Sequence, residues 1–441
     1  MIIVSSMIIT SFCSCGGNSK SLSVFSAKGD LIAELDTNYN LYDENMVYCD
    51  IAVSEATEIL AELLDCSIKK AKKLLWKKEY KIYTYFDDSV QKALSGACEK
   101  YFGELSCGSA VTDLNGNLVA ASGNYIDKTD SNAALNETPP YSTLKPLSVY
   151  AQAVEKGIIN WSTVFKDSAY KQIKTTEGVE RGWPANANGK YSESDITVYE
   201  ALQKSLNTVA VKCLEKIGVN NSIEFLQKNF SIPLSSEQYT STIHGEEEVI
   251  GNVAMGYLKE GVTPVDMAGY YQIFANGGKY EKPKVVHKIC NKDGKSIYER
   301  EYSPKEVISP YTADIMNAML QGVIKSGGTA IEAYVNGVQI AGKTGTNDNN
   351  VDCWFVGITP EYSCAVWHSQ NYKNMAPAIF SETFKTVYLN NPDLKKNFKF
   401  NTSLKNIVYC EESGMKVSAG CKSIQVGYYD ADTQLELCDK H

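Results

Sequence analysis

A serine and a lysine three residues apart are the first groups in this chain whose types and spacing could do chemistry. If Tyr141-Ser142-Thr143-Leu144-Lys145-Pro146 opens a helix, Ser142 and Lys145 share one face, one turn apart, and the lysine stem can reach the hydroxyl. The serine then lies in the first turn, where unpaired backbone N–H groups and the positive helix end favour a developing oxyanion. Leu144, Leu147, Ala151 and Val154 supply an apolar stripe, and Gly157 a stop. The spacing alone decides little, because Ser67, Ser89, Ser168 and Ser413 also precede a lysine by three residues; a solvated helix or loop pair accounts for each of them. The base that would serve Ser142 reads as lysine rather than histidine. His244, His287, His368 and His441 lie near no candidate nucleophile in sequence, although triads assemble in space. A lysine that is half neutral at pH 7 must sit about 3.4 pH units below its ordinary value near 10.4, at a cost of about 4.6 kcal/mol. Burial and a second cation push in that direction.

Two later patches carry the remaining polar groups. Thr197-Val198-Tyr199-Glu200 reads as a capping box that starts a short helix. That helix breaks near Ser205-Leu206-Asn207, and a second is expected from Thr208 to a stop at Gly218. At such a break Asn207 either caps the second helix, or Ser205 and Asn207 face a cleft; the same triplet recurs at Ser122 and Ser369. Downstream, a strand over 338–342 leads into Lys343-Thr344-Gly345-Thr346, so the lysine is expected at the exposed end of a strand. The glycine there lets another backbone approach closely.

The elements that must position these patches alternate strand and helix. A strand is expected around Leu31–Leu35, a helix from about Ser54 to Leu75, a strand over 81–86 and a helix from Asp88 to Lys100. A hairpin follows, Gly108–Asp113 and Leu118–Ala121 around Asn115-Gly116-Asn117. Thr263-Pro264-Val265-Asp266 and Ser309-Pro310 open two further helices, which end near Gly277-Gly278 and Gly327-Gly328. Cys353–Ile358 and Ser363–Trp367 read as antiparallel strands. The pattern predicts a sheet with helices packed against it.

Ser-x-x-Lys, then Ser-x-Asn, then Lys-Thr-Gly, in that order, is the motif set of penicillin-binding proteins and class A β-lactamases. The surrounding sequence, with Phe274-Ala275-Asn276-Gly277-Gly278 between the patches and Asp352, Trp354, Phe355 and Gly357 after them, resembles the transpeptidase domain of class A high-molecular-weight penicillin-binding proteins over residues 80–441. The resemblance implies an α/β (α+β) transpeptidase fold, with a central antiparallel five-stranded sheet flanked by helices. It also implies a D,D-transpeptidase that cross-links peptidoglycan stem peptides through a serine acyl-enzyme and is acylated by β-lactams. By resemblance Ser142 is the nucleophile, Lys145 its base, Ser205 the proton relay, and Asn207 orients Lys145 and substrate. Lys343, Thr344 and Thr346 would hold the terminal carboxylate, Gly345 belongs to that same substrate-binding strand, and the N–H groups of Ser142 and Thr346 would form the oxyanion hole. Tyr141 stands where the family often has glycine. Two rival readings share the acylation step: a D,D-carboxypeptidase or β-lactamase, and a penicillin-binding sensor without turnover. The Glu-x-x-Leu-Asn stretch of a class A β-lactamase is absent from the sequence.

Length and composition fit this assignment. At 441 residues, 44% hydrophobic and 22% charged, the chain has room for a large domain and a smaller part. We expect a leader over 1–20, a connector or pedestal over 21–80, the transpeptidase domain over 81–400 and a cysteine-containing tail over 401–441. The leader is apolar but short of the ~20 residues of a membrane span, so it reads as a secretory segment, a lipid-anchored one ending at Cys15, or a truncated anchor. The first 80 residues are too short for the glycosyltransferase domain of class A members, so a separate glycosyltransferase is the expected partner. The placement implied is the bacterial cell envelope, outside the cytoplasm, with membrane contact through the N-terminus only. A net charge of −9 gives no footprint for nucleic acid. No cofactor and no metal are expected. Among the 13 cysteines, Cys410, Cys421 and Cys438 with His441 offer three thiols and an imidazole. Their spacing lacks the close cysteine pair common in structural zinc sites, which favours a Cys410–Cys421 disulfide or free thiols.

Overall fold

The structure, a computed structural model, describes residues 21–38, 45–102, 106–124, 132–174, 178–232, 234, 249–347, 351–369 and 374–441. The expected leader and His244 lie outside the described residues. The frame of the molecule is a five-stranded sheet in the spatial order Ala341–Thr346, Asp352–Ile358, Tyr362–Ser369, Cys107–Asp113 and Leu118–Asn124. Every neighbouring pair is antiparallel. The turn at Asn115-Gly116-Asn117 closes the last hairpin with Gly116 at φ +74°, a conformation glycine adopts without a Cβ penalty.

Alternation of side chains across the pleat divides the core in two. Phe355, Val366, Val111 and Val119 pack on one face with Val90 and Leu94 of the helix Asp88–Phe102 and with Phe380 and Phe384 of the helix Met375–Asn390. Trp354, Val356, Ala365 and Ala110 face the larger core on the other side, which also holds Leu144, Leu147, Met267 and Tyr271. Lys343 pairs with Val356 in the ladder, so the lysine points into this larger core side.

A second five-stranded sheet has the order Ser296–Glu299, Val286–Cys290, Lys81–Thr84, Leu22–Ser26, Leu31–Leu35. Leu22–Ser26 was not anticipated from the sequence; it runs parallel to Lys81–Thr84. The helix expected from Ser54 is instead two, Met46–Leu63 and Ile68–Lys77. Asp65 at φ +46° breaks the run, and the Ser67 side chain restarts it by accepting the N–H of Lys70. Ser67-x-x-Lys70 is therefore a helix cap. The longer helix is tied to the central sheet by Tyr48, whose hydroxyl donates to Leu118 O at 2.9 Å, and to the start of the second sheet's Val286–Cys290 strand by Glu55, which accepts the N–H of Val285 at 2.9 Å.

The tail forms a two-stranded hairpin, Lys405–Cys410 with Ile424–Tyr429. Cys410 and Cys421 are free thiols, and the described cysteines form no disulfide. Among the described residues no helix is long and apolar enough to cross a membrane.

Candidate active site

Ser142 does not open an amphipathic helix. Tyr141–Leu144 is a 3-10 turn, Pro146–Tyr150 a π turn, and regular α-helix covers only Ala151–Glu155. Proline explains the first departure. Pro146 has no N–H to give to the carbonyl of Ser142 four residues back, so the N–H of Lys145 takes it and tightens the turn. The expected stripe, Leu144, Leu147, Ala151 and Val154, is buried, but so are the residues between them from Thr143 to Val154. The segment runs through the core between half-buried Ser142 at its head and exposed Glu155 at its far end. Gly157 ends it at φ +65°. Tyr141 holds φ +48°, a left-handed conformation that costs a non-glycine residue about 1–2 kcal/mol. Its N–H donates to Gly256 O at 3.0 Å, its hydroxyl to Asp352 Oδ2 at 3.2 Å, and its ring meets Tyr257 edge-on.

The second patch lies across from this turn. Asn207 is the first residue of the helix Asn207–Ile217, and Leu206, in the capping position, has no side-chain oxygen to offer. The cap comes from elsewhere: Asn186 Oδ1 accepts the N–H groups of Asn207 at 2.9 Å and Thr208 at 3.3 Å. Asn186 is itself held by Asp167 Oδ1 at 2.8 Å, which also accepts from the Thr208 hydroxyl at 2.6 Å. The Asn207 side chain is thereby released from capping. Its Nδ2 donates to Ala185 O at 2.8 Å, and its Oδ1 accepts from Lys145 Nζ at 2.6 Å. Ser205, at φ +59°, turns both its carbonyl and its hydroxyl toward the same place. Asp167 and Asn186 escaped sequence reasoning because they act from 41 and 22 residues away on Thr208, with no local pattern to mark them.

The third patch lies within a strand rather than at its end. Ala341–Thr346 starts later than expected and carries Lys343 in its middle. It is an edge strand, with the 352–358 strand on one side and the Ser142 turn on the other. A Cβ on Gly345 would lie 2.5 Å from Pro140 O and 3.0 Å from Thr143 Cγ2, so this glycine permits the approach of strand and turn. Thr344 Oγ1 lies 2.7 Å from Thr329 Oγ1, and Thr344 and Thr346 are half-buried beside the turn.

The three patches meet at one hydroxyl. Lys145 Nζ donates to Ser205 O at 2.9 Å and lies 3.5 Å from Ser205 Oγ, while Lys343 Nζ donates to Ser205 Oγ at 2.8 Å and to Thr344 O at 3.0 Å. Both lysines are fully buried. Desolvation, followed by the charge of Lys343, holds Lys145 well below the ordinary lysine value. Burial pulls Lys343 down to about 7. Among the described residues no carboxylate accepts from either ammonium; their bonds go to carbonyl, amide and hydroxyl oxygens. A cavity of about 770 Å³ opens beside Asn207, walled by Arg181, Trp183, Met255 and Tyr257.

Comparison with known proteins gives this constellation its family. The penicillin binding protein transpeptidase domain matches residues 109–404. Penicillin-binding protein 1A of Clostridium botulinum (strain Hall) is 33% identical over 273 residues, 61% of this chain and 31% of that protein. Penicillin-binding protein 4 of Bacillus subtilis is 26% identical over 298 residues, 66% of this chain and 45% of that protein. The match thus spans about a third to a half of these relatives' length. Among solved structures, the D,D-transpeptidase domain of a peptidoglycan glycosyltransferase from Eggerthella lenta has a TM-score of 0.64 at 17% identity, covering 86% of this chain and 100% of that one. PonA1 from Mycobacterium tuberculosis in complex with penicillin V has a TM-score of 0.63 at 20% identity, covering 79% of this chain and 95% of that one. The mixed α/β fold with its five-stranded antiparallel sheet is the one these structures share, and the chain belongs to the penicillin-binding protein transpeptidase domain family.

Proposed function

We propose that the chain is a serine D,D-transpeptidase that joins peptidoglycan stem peptides through an acyl-enzyme on Ser142. The observation that carries the reading is the pair of buried lysines meeting at Ser205 Oγ, with Lys145 also held by Asn207. A neutral amine has two hydrogens and one lone pair. The two short bonds of Lys145, to Ser205 O and Asn207 Oδ1, use both hydrogens and leave the lone pair for the proton of Ser142.

Ser142 Oγ then attacks the carbonyl of the terminal D-Ala-D-Ala bond as Lys145 takes its proton. The oxyanion is held by the N–H groups of Ser142 and Thr346. As the tetrahedral intermediate collapses, the proton passes from Lys145 through Ser205 Oγ to the departing D-alanine. Lys343, Thr344 and Thr346 bind the terminal carboxylate, and the edge strand around Gly345 aligns the extended peptide beside it. A stem-peptide amine resolves the ester in the reverse sequence. A β-lactam mimics the first substrate and acylates the same oxygen; the family's name and the penicillin V complex of PonA1 support this partner. The chain would act in the cell envelope, outside the cytoplasm, with membrane contact through its N-terminal segment, on strands supplied by a glycosyltransferase. Residues 81–400 would form the catalytic unit, 21–80 its connector and 401–441 its tail.

The test is turnover of a D-Ala-D-Ala donor peptide with and without an acceptor amine. Acceptor-dependent formation of the cross-linked dimer supports the reading. Release of D-alanine by water alone would make the chain a carboxypeptidase, and acylation with neither product a sensor.

A further inference from the structure

The tail brings together side chains that the acyl-transfer chemistry does not use. Cys410 ends one hairpin strand, Cys438 and His441 lie near the chain end, and one ligand atom from each falls within 4.8 Å of the other two. Cys421 lies beside this group: Ser418 Oγ is 3.5 Å from Cys421 Sγ and donates to His441 O at 3.3 Å. Among the described residues this is the only convergence of three or more metal-capable groups. Cys438-x-x-His441 supplies the close pair that a cysteine-only reading of the spacing overlooks.

The surroundings are those of ligands already oriented. Ser413 Oγ donates to Cys438 Sγ at 3.2 Å, and the backbone N–H of Ser418 donates to Cys421 Sγ at 3.3 Å. Glu412 Oε2 lies 3.5 Å from His441 Nε2, the kind of carboxylate contact that orients a ligating imidazole. The hairpin packs on the domain through buried Tyr409 and Tyr429, while Val408, Ile424 and Val426 on its outer side remain exposed.

We propose that Cys410, Cys421, Cys438 and His441 form a closed, tetrahedral Cys3His site for one zinc ion that staples the tail. Zinc displaces the three thiol protons to solvent as three thiolate bonds and one imidazole bond form, with no change of oxidation state. The staple has a mechanical outlet. Lys440 pairs with Asp195 at 2.6 Å and donates to Glu412 O at 2.7 Å, and Ser162 Oγ donates to Gly414 O at 2.5 Å. The closed tail thus braces Asp195–Thr197 and the helix Val198–Gln203, which leads directly into Ser205 and Asn207.

The experiment uses the full chain, purified with zinc sulfate present and then freed of loose metal, with zinc measured by elemental analysis and Co(II) substituted for the visible spectrum. The expected result is about one zinc per chain, a thiolate-to-cobalt charge-transfer band with tetrahedral d–d bands, and a Tm that falls by several degrees on chelation. His441→Ala, at the exposed chain end, should weaken zinc binding by about 100-fold or more while penicillin acylation shows that the domain is folded. Cys438→Ser should weaken the charge-transfer band, whose intensity follows the number of thiolate–cobalt bonds, and lower zinc retention. A chain without zinc, a disulfide among the three tail cysteines in non-reducing mass analysis, or zinc retained equally by both variants would overturn the proposal.

Discussion

Gly345→Ala is the sharpest test of how the strand and the serine turn are held together. The added methyl carbon would lie 2.5 Å from Pro140 O, where ordinary contact begins at 3.4 Å, so the two backbones must separate by 0.9 Å. Neither side yields readily. The turn is pinned by Tyr271, whose hydroxyl donates to Thr143 O at 2.5 Å, and the strand by its ladder to Asp352–Ile358. Overpacking of this kind costs about 1–3 kcal/mol. A displacement near 1 Å between Ser142 and the groups on the strand lowers reaction by about 100-fold. The assay is the second-order rate of acylation by a fluorescent penicillin, read beside Tm. Gly96→Ala serves as control, since a Cβ there meets nothing within 4 Å and the site is helical; its Tm should hold or rise. If Gly345→Ala acylates at the rate of the parent chain, the close approach of strand and turn has no part in the reaction.

Other consequences can be checked with the same assays. Lys145→Met should lower acylation by about 10²–10⁴-fold, the usual worth of a positioned base, without abolishing non-covalent penicillin binding. Acylation should rise with pH as Lys145 loses its proton and decline above about 7 as Lys343 loses its own; Lys343→Arg, charged throughout, should remove the alkaline limb. Because Lys343 titrates at about 7 when folded and near 10.4 when unfolded, the unfolded chain holds more protons between these values. Its destabilisation is therefore full below about 7 and is relieved as pH rises, so a stability advantage of Lys343→Met should shrink over that window in chemical denaturation. Asn186→Ala removes the outside cap of the Asn207 helix and should cost about 1–2 kcal/mol, with a fall in acylation through misplaced Asn207.

Much of this was legible in the sequence because it was local or periodic. The strands that carry Phe355 and Val366, the capped helices at Thr263 and Ser309 and the hairpin at Gly116 each announce themselves within a few residues. So do the three patches, once their order along the chain is considered. What could not be read was set by tertiary contact. Residues 143–154 are buried on all sides, so their stripe does not distinguish an amphipathic helix from a core one, and Pro146 imposes irregular turns. Leu22–Ser26 becomes a strand by pairing with Lys81–Thr84 some 60 residues on. The sequence leaves Asn207 between capping its helix and facing a cleft, because Asn186, which supplies the cap, lies 21 residues away.

The central claim is that Ser142 is the nucleophile, and intact-mass spectrometry after incubation with a penicillin tests it most directly. The account predicts a single stable adduct on the parent chain and none on Ser142→Ala. An adduct of the same mass on the Ser142→Ala chain, or none on either, would contradict it.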